Sequence, residues 1–322
     1  MRKLTVGLAV ILGLILVLAA GGAIFQSVAS ASDRDRFPPP GMLVDVGSHS
    51  LHIHCFGAGT PTVILDHAGG SNSAQWALVM PEVAATTRVC AYDRAGFGWS
   101  EPGEAPFDAS RAADELGSLL ANAREAGPYV MVGHSYGGFV SRLFADRHLE
   151  DVLGLVLVDP GRPLGHPLTP SEIDAAWRTE DDMIFMLAPF ASRLGMMRLA
   201  GAAATELPSS AADAFSAMNQ TVAFWDTVAM VHDAMGETSA LIVALGAPVQ
   251  PVIVLSAGVP DEEPRRVWTR LNASLASGGG GEHRVIEGVG HMDLVLTRAG
   301  AAQVTDAIVD MVAQVRGRAG GG

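Results

Sequence analysis

The sequence places a serine between two glycines, in Gly133-His134-Ser135-Tyr136-Gly137, directly after the apolar residues 129–132. A helical pattern follows, so the segment predicts a strand, a sharp turn and a helix, the arrangement that presents a nucleophilic serine. Such a turn strains the serine backbone and lifts its hydroxyl clear of the sheet, where a base can reach it. It also brings the Tyr136 N–H beside a reacting carbon. The alternative is a glycine-rich turn with an incidental serine.

A serine hydroxyl is a poor nucleophile without a base, and the base needs an acid that orients it and stabilises its cation. His291 is the candidate base, because it follows a predicted strand in a glycine turn and so lies at the same sheet edge as Ser135. Two acids are candidates. Asp261 follows the penultimate predicted strand and is preferred, and Asp159, one strand earlier, is the alternative. His134 is not assigned as the base, because a tight turn points neighbouring side chains apart.

The elements that must position these groups form two kinds of segment. Strand and helix signals alternate over residues 42–161 and return over residues 248–316, which predicts a mostly parallel sheet with helices on both faces. Residues 162–247 carry helical patterns and no clear strand, so we expect an inserted helical lid. Its many methionines and aromatic residues fit either an adaptable apolar pocket or the packing of small helices. Residues 317–322 are expected to be disordered.

The N-terminus predicts a membrane anchor or a signal peptide over residues 1–31. Arg2 and Lys3 precede an uncharged apolar run of about 22 residues, which is enough to span a bilayer as a helix. Ala29-Ser30-Ala31 resembles a signal-peptidase site, but the run is longer than a usual signal core, so an anchor is favoured. A Pro-rich linker follows at residues 32–41. In either case we expect the domain outside the cytoplasm, anchored to the membrane or secreted.

Composition excludes several function classes. The chain has 322 residues and a net charge of −13, which argues against nucleic acid as a partner. Cys55 and Cys90 lie in predicted strands and are either a disulfide or two buried thiols. Without a Cys-x-x-Cys pair a thiolate zinc site is not expected. His52 and His54 share one strand face, which we interpret as solvated rather than as a metal site. We expect no cofactor.

Five motifs, in this order along the chain, resemble the α/β-hydrolase superfamily and its lid-bearing, esterase-like serine hydrolases. They are His67-Ala68-Gly69-Gly70, Asp93-Arg94-Ala95-Gly96-Phe97-Gly98-Trp99-Ser100, the serine turn, Gly258-Val259-Pro260-Asp261 and Gly290-His291. The resemblance covers residues 42 to about 315. It implies the α/β-hydrolase fold, a mostly parallel eight-stranded sheet flanked by helices.

The resemblance also implies roles for individual residues. The loop after the third strand usually reads His-Gly-x in this family, and the third position donates its N–H to an oxyanion. That donor is Gly69 here, with the Tyr136 N–H as the second, and Ala68 replaces the usual glycine. Most members place the acid after the penultimate strand, which corresponds to Asp261. Some, certain haloalkane dehalogenases among them, place it one strand earlier, which corresponds to Asp159.

The nucleophile type indicates the reaction. Members that cleave carbon–halogen bonds or epoxides carry an aspartate where Ser135 stands, so the resemblance implies transfer of an acyl group to water. We therefore expect a serine hydrolase that cleaves a carboxylic ester, or a related small apolar acyl compound, through an acyl-enzyme. The alternatives are an aminopeptidase or a carbon–carbon bond hydrolase on the same fold, and a non-catalytic protein that binds a small molecule.

Overall fold

A single eight-stranded sheet forms the centre of the part of the chain that the structure, a computed structural model, describes: residues 2–200, 206–259, 262–277 and 280–319. Its strands are β1 (Met42–Asp45), β2 (Ser50–Phe56), β3 (Thr62–Asp66), β4 (Val89–Tyr92), β5 (Tyr129–His134), β6 (Val152–Val158), β7 (Val252–Ala257) and β8 (Glu282–Ile286). Their order is β1-β2-β4-β3-β5-β6-β7-β8. Only β2 runs antiparallel to its neighbours. The mostly parallel α/β fold expected from the sequence is confirmed.

The helices surround this sheet and fill one long insertion. In chain order they are α1 (Arg2–Arg36), a 3₁₀ helix (Ser73–Leu78), α2 (Met80–Ala84), α3 (Ala109–Ala123), α4 (Gly137–Arg147), α5 (Ser171–Arg193), α6 (Met196–Ala200), α7 (Ser209–Asn219), α8 (Val222–Asp233), α9 (Met235–Leu245), α10 (Glu263–Ala276), α11 (Asp293–Leu296) and α12 (Arg298–Ala319). Helices α5 to α9 lie between β6 and β7, and we call residues 162–247 the insert. Its described residues contain no strand.

The central strands are buried on both faces, which is why they read as continuous apolar runs rather than alternating ones. Side chains alternate between two cores along each strand. In β5, Met131 packs in the core that contains Leu116 of α3, whereas Val130 and Val132 pack in the core that contains Ile308 of α12. The sheet therefore stands between two helical layers, and its carboxyl edge is the end from which the insert leaves.

Two features of β2 resolve questions that the sequence leaves open. Cys55 faces Cys90 across the β2–β4 pair, and the two form a disulfide. His52 is fully buried, and its Nδ1 lies 2.8 Å from Asp93 Oδ2. The expectation of a solvated face is therefore wrong for His52, because the loop after β4 folds back over this face and supplies the carboxylate. His54 is half-buried.

Both terminal helices extend further than the sequence predicts. Helix α1 continues to Arg36, so only residues 37–41 remain of the linker expected at 32–41. It is long and apolar enough to cross a membrane, whereas α8 and α9 reach that length only together and are bent by 54°. Helix α12 continues to Ala319, where disorder was expected from 317. Buried Val315 and an Arg316 Nε bond of 2.8 Å to Thr60 O hold its last turns.

Candidate active site

The turn after β5 has the geometry of a nucleophile elbow. Ser135 adopts a φ of 54°, a left-handed conformation that is strained for a residue with a side chain. A Cβ at Gly133 would lie 2.4 Å from Gly137 O, and a Cβ at Gly137 would lie 2.6 Å from Asp66 O. The close packing of β5, α4 and the end of β3 therefore requires glycine at both positions.

Ser135 and His291 line the same cavity, which has a volume of about 770 Å³ and also borders Gly69 and Tyr136. The cavity lies between the carboxyl edge of the sheet and the insert, and Trp177 and Phe185 of α5 form part of its far wall. Among the described residues, no hydrogen bond joins Ser135 Oγ to His291 Nε2. Catalytic hydrogen bonds are often long before substrate binds and tighten in the substrate complex.

Asp159 stands behind His291. The Nδ1 atom of His291 donates a hydrogen bond of 2.7 Å to Asp159 Oδ2, and the carboxylate is completely buried. Asp159 has a left-handed φ of 41°. The candidate nucleophile and the residue that binds the candidate base are therefore both non-glycine residues with strained backbone. Asp261, the acid preferred in the sequence analysis, lies outside the described residues.

Asp159 accepts several further hydrogen bonds. Arg265 Nη1 lies 2.7 Å from Oδ2, and Asn272 Nδ2 lies 3.2 Å from Oδ1. Burial alone raises the pKa of the Asp159 carboxyl, but the hydrogen bond and charge of His291, with the charge of Arg265, outweigh it and hold the pKa below its ordinary value. Asp159 is therefore ionised at neutral pH. Arg265 is a partner that the sequence analysis missed, since nothing in the sequence of α10 shows that it reaches β6.

The backbone groups that could hold an oxyanion belong to two residues that line the cavity, Gly69 and Tyr136. A Cβ built at Gly69 would lie 3.2 Å from the Tyr136 Cβ, so the loop after β3 approaches the start of α4 closely. Neither the Gly69 N–H nor the Tyr136 N–H donates a hydrogen bond to a described residue. Two N–H groups without acceptors in residues that line the cavity, one of them at the N-terminus of α4, are suited to bind a developing negative charge.

Arg94 holds the loop that carries Gly69. Its Nη1 donates to His67 O at 2.6 Å, its Nη2 donates to Ala68 O at 2.9 Å, and it forms a buried ion pair with Asp66. Burial and the Arg94 charge keep the pKa of His67 well below its ordinary value, so this imidazole is neutral. The sequence analysis placed Arg94 in a motif without a role, because its partners lie on another strand.

His134 packs against His291 and bonds its backbone. Its Nε2 donates to His291 O at 3.1 Å, and the two rings lie 4.7 Å apart. Burial, together with the charge of His291, lowers the pKa of His134 to about 3. His134 is therefore a neutral side chain that supports the backbone of the candidate base.

The rest of the cavity combines aromatic and charged groups. The Arg162 guanidinium lies 4.5 Å from the Trp177 ring centre and 5.2 Å from the Trp268 ring centre. Trp268 also contacts His291, with ring centres 5.0 Å apart. A cationic group between two indoles narrows the cavity beside the candidate base and can orient a polar end of a ligand.

Candidate metal ligands lie elsewhere. Among the described residues, one group of potential ligand atoms clusters closely, Cys55, Cys90 and Glu125. The two cysteines are joined in the disulfide, so they offer no thiolate to a metal.

Comparisons with known proteins support this architecture. The model of the alpha/beta hydrolase family matches residues 63–306. A 2-hydroxymuconate semialdehyde hydrolase of Pseudomonas sp. (strain CF600) is 36% identical over 129 residues, which are 39% of this chain and 44% of the relative. The (lyso)-N-acylphosphatidylethanolamine lipase of Homo sapiens is 36% identical over 124 residues, 37% of this chain and 36% of the relative. The chain spans less than half the length of either of these curated relatives.

Solved structures show the same fold. The epoxide hydrolase CorEH, without ligand, superposes with a TM-score of 0.67 at 20% identity, covering 85% of this chain and 99% of its own. A likeness at this identity shows the fold alone. The family model, in contrast, covers most of the sheet, the serine turn and the loop of His291. This chain therefore belongs to the alpha/beta hydrolase family.

Proposed function

We propose that this protein is a serine hydrolase that cleaves a carboxylic ester, or a related acyl compound, with Ser135 as nucleophile, His291 as base and Asp159 as acid. One observation carries the proposal. Ser135, held in a strained turn, shares a cavity with His291, and the Nδ1 of His291 is bonded to the buried Asp159 carboxylate. Epoxide cleavage is disfavoured, because the resemblance associates that reaction with an aspartate at the position of Ser135.

The geometry supports a two-step reaction. Because the Nδ1 proton of His291 is committed to Asp159, Nε2 is unprotonated and can accept the Ser135 Oγ proton. The oxygen then bonds to the acyl carbon, and the carbonyl electron pair moves to its oxygen, which the Gly69 and Tyr136 N–H groups bind. When the carbon–oxygen bond to the leaving group breaks, Nε2 returns the proton to the departing alkoxide. Water repeats the sequence on the acyl-enzyme and releases the acid.

The assignment of Asp159 rather than Asp261 depends on contacts and charge. Asp159 is buried, ionised and 2.7 Å from His291 Nδ1, which satisfies what a triad acid must do. Its Oδ2 also accepts from Arg265.

Substitution of the nucleophile tests the proposal. Ser135→Ala should abolish hydrolysis of p-nitrophenyl esters while leaving the circular dichroism spectrum and melting temperature near those of the parent. Ser141→Ala is the matched control, because Ser141 is a buried serine in α4, away from the cavity lining. Full ester hydrolysis by Ser135→Ala would refute the proposal.

A carbon–carbon bond hydrolase is the second candidate, favoured by the 36% identity to the 2-hydroxymuconate semialdehyde hydrolase over 129 residues. A panel of acyl esters, aminoacyl amides and a vinylogous diketone separates the candidates by kcat/KM. A diketone cleaved with at least the kcat/KM of the best ester would favour the second candidate.

We also propose that α1 is an uncleaved anchor and that the insert forms a lid. The signal-peptidase-like residues Ala29-Ser30-Ala31 lie within the continuous helix α1, and Ser30 Oγ accepts from Arg198 of the insert at 3.0 Å. Cleavage after Ala31 would remove this contact. With Arg2 and Lys3 on the cytoplasmic side, the hydrolase domain would face away from the cytoplasm. A full-length mass in the membrane fraction supports the anchor, and a mass that begins at residue 32 refutes it.

A further inference from the structure

The outer side of the insert carries large apolar side chains that contact solvent. On α5 and α6 the exposed ones are Ile184, Met186, Leu187, Phe190, Met196 and Leu199. We call these six residues the outer apolar surface. The opposite side of α5 packs inward, with Ala188 and Ser192 buried. Large apolar side chains that are exposed together on neighbouring turns of helix indicate a binding surface rather than scattered exposure.

Helix α1 docks beside this surface. A Cβ at Gly22 of α1 would lie 2.4 Å from Leu194 O, in the turn between α5 and α6. A Cβ at Gly195 would lie 2.8 Å from the Phe25 ring. Both glycines are therefore required for α1 to lie directly against the α5–α6 turn.

Polar contacts fix the next turns of α1 to the insert. The buried guanidinium of Arg198 in α6 donates to Gln26 Oε1 at 2.9 Å and to Ser30 Oγ at 3.0 Å, and it forms an ion pair of 2.6 Å with Asp33. Gln26 Nε2 donates to Gln220 O at 2.8 Å. From Gln26 onward α1 is thus a polar helix bound to the insert, whereas residues 4–25 are uncharged.

The change from apolar to polar residues at Gln26 indicates how far α1 extends through a bilayer. At 1.5 Å per residue, the 22 residues before it span about 33 Å, close to the thickness of the hydrocarbon core of a bilayer. The hydrocarbon then ends near Phe25, which is the residue that contacts Gly195. The α5–α6 turn therefore lies at the level where acyl chains give way to headgroups, and the outer apolar surface flanks this turn on both sides along the chain.

We propose that the outer apolar surface lies in the interface of the bilayer that α1 spans, so that α5 separates the membrane from the candidate active-site cavity. Phe185 of the same helix lines that cavity, and the centres of the Phe185 and His232 rings lie 4.7 Å apart. The inference depends on α1 being an anchor and adds a second membrane contact. With a net charge of −13, the chain favours a zwitterionic lipid surface over an anionic one.

Depth-dependent quenching tests this proposal on the full-length chain in phosphatidylcholine nanodiscs. Leu199→Cys and Phe190→Cys carry an environment-sensitive fluorophore, and the native cysteines do not react because they form a disulfide. Leu149→Cys is the matched control. Leu149 is 55% exposed but precedes β6, at the sheet edge opposite to the insert.

The expected result is a blue-shifted emission at 199 and 190, and quenching by lipids spin-labelled near the headgroup that is roughly threefold or more stronger than at 149. Equal quenching at 199 and 149 would overturn the proposal. A blue shift without lipid quenching would also overturn it, because a protein, such as a second copy of this chain, would then cover the surface. The same measurement on Ser135→Ala separates this test from that of the enzymatic proposal, since lipid contact does not depend on the nucleophile.

Discussion

Asp159→Asn removes the negative charge behind His291 while keeping the shape of the side chain. The carboxylate accepts hydrogen bonds from His291, Arg265, Asn272 and the Ala257 N–H. An asparagine amide has one oxygen and one NH₂ group, so its NH₂ group must face donors at one of two positions: His291 and Arg265 at Oδ2, or Asn272 and the Ala257 N–H at Oδ1. If the NH₂ group faces His291, Nδ1 must give up its proton and Nε2 becomes protonated. The imidazole is then in the wrong tautomer to accept a proton from Ser135.

The effect on turnover should be large. A triad base in the wrong tautomer loses about 10⁴ in kcat, which corresponds to about 5.4 kcal/mol in activation free energy. Stability falls for a different reason, since Arg265 is only 10% exposed and loses its carboxylate. Breaking such a buried pair costs about 3–5 kcal/mol. Adding Arg265→Met should therefore recover part of the stability of Asp159→Asn and none of its activity.

The assay is the kcat for p-nitrophenyl butyrate in detergent micelles, with urea unfolding of the same samples. Asp261→Asn is measured in parallel. The reasoning predicts about a 10⁴-fold loss for Asp159→Asn and less than a tenfold change for Asp261→Asn. Retention of more than a tenth of the parent rate by Asp159→Asn, with a collapse in Asp261→Asn, would refute the assignment of the acid.

Three further predictions follow from buried groups around the site. An unfolded histidine binds a proton below about pH 6.5. In the folded protein His134 stays neutral at that pH, because burial lowers its pKa to about 3. The free energy of unfolding should thus fall as the pH drops from about 6.5 towards 3. In urea unfolding, the His134→Gln variant should lose about 2 kcal/mol less between pH 7 and pH 5 than the parent does. The same pH dependence in both proteins would contradict this prediction. Gly137→Ala should lower the free energy of unfolding by about 1–3 kcal/mol, because the added Cβ would meet two carbonyl oxygens within 2.7 Å. Gly70→Ala is the control and should be neutral, because a Cβ there has no atom within 4 Å. Equal shifts in the melting temperatures of the two variants would contradict this prediction. Arg94→Met should lower kcat by about 10²-fold and leave KM nearly unchanged, because the loop that carries the Gly69 N–H is then no longer held in place. A change in KM alone would contradict this role of Arg94.

The serine turn and the sheet could be predicted because their signals are local. Gly133 and Gly137 are demanded by contacts within a few residues of the turn and by the neighbouring strand, and apolar runs identify the central strands. The choice between the two acids could not be made from spacing. Both follow strands that end at the same sheet edge, and only the path of the loop that carries His291 decides which carboxylate it meets.

The remaining differences have a common cause, which is that long side chains find partners on distant segments. Arg94 binds a carboxylate of β3, Arg265 binds the carboxylate that follows β6, and His52 meets Asp93 from the loop after β4. Residue type predicted solvent exposure for His52, but tertiary contacts supplied a buried partner instead. The helical end of α1 was missed for the same reason, since Arg198 of the insert stabilises polar residues that look like a linker in isolation.

Covalent labelling of the nucleophile tests the central claim most directly. A fluorophosphonate reacts with a serine that a neighbouring base has activated, so the full-length chain in detergent should gain one probe mass, located by peptide mass spectrometry at Ser135. His291→Gln should lose the labelling and Ser141→Ala should keep it. Absence of labelling, or a label on a different serine with unchanged rate in His291→Gln, would contradict the account.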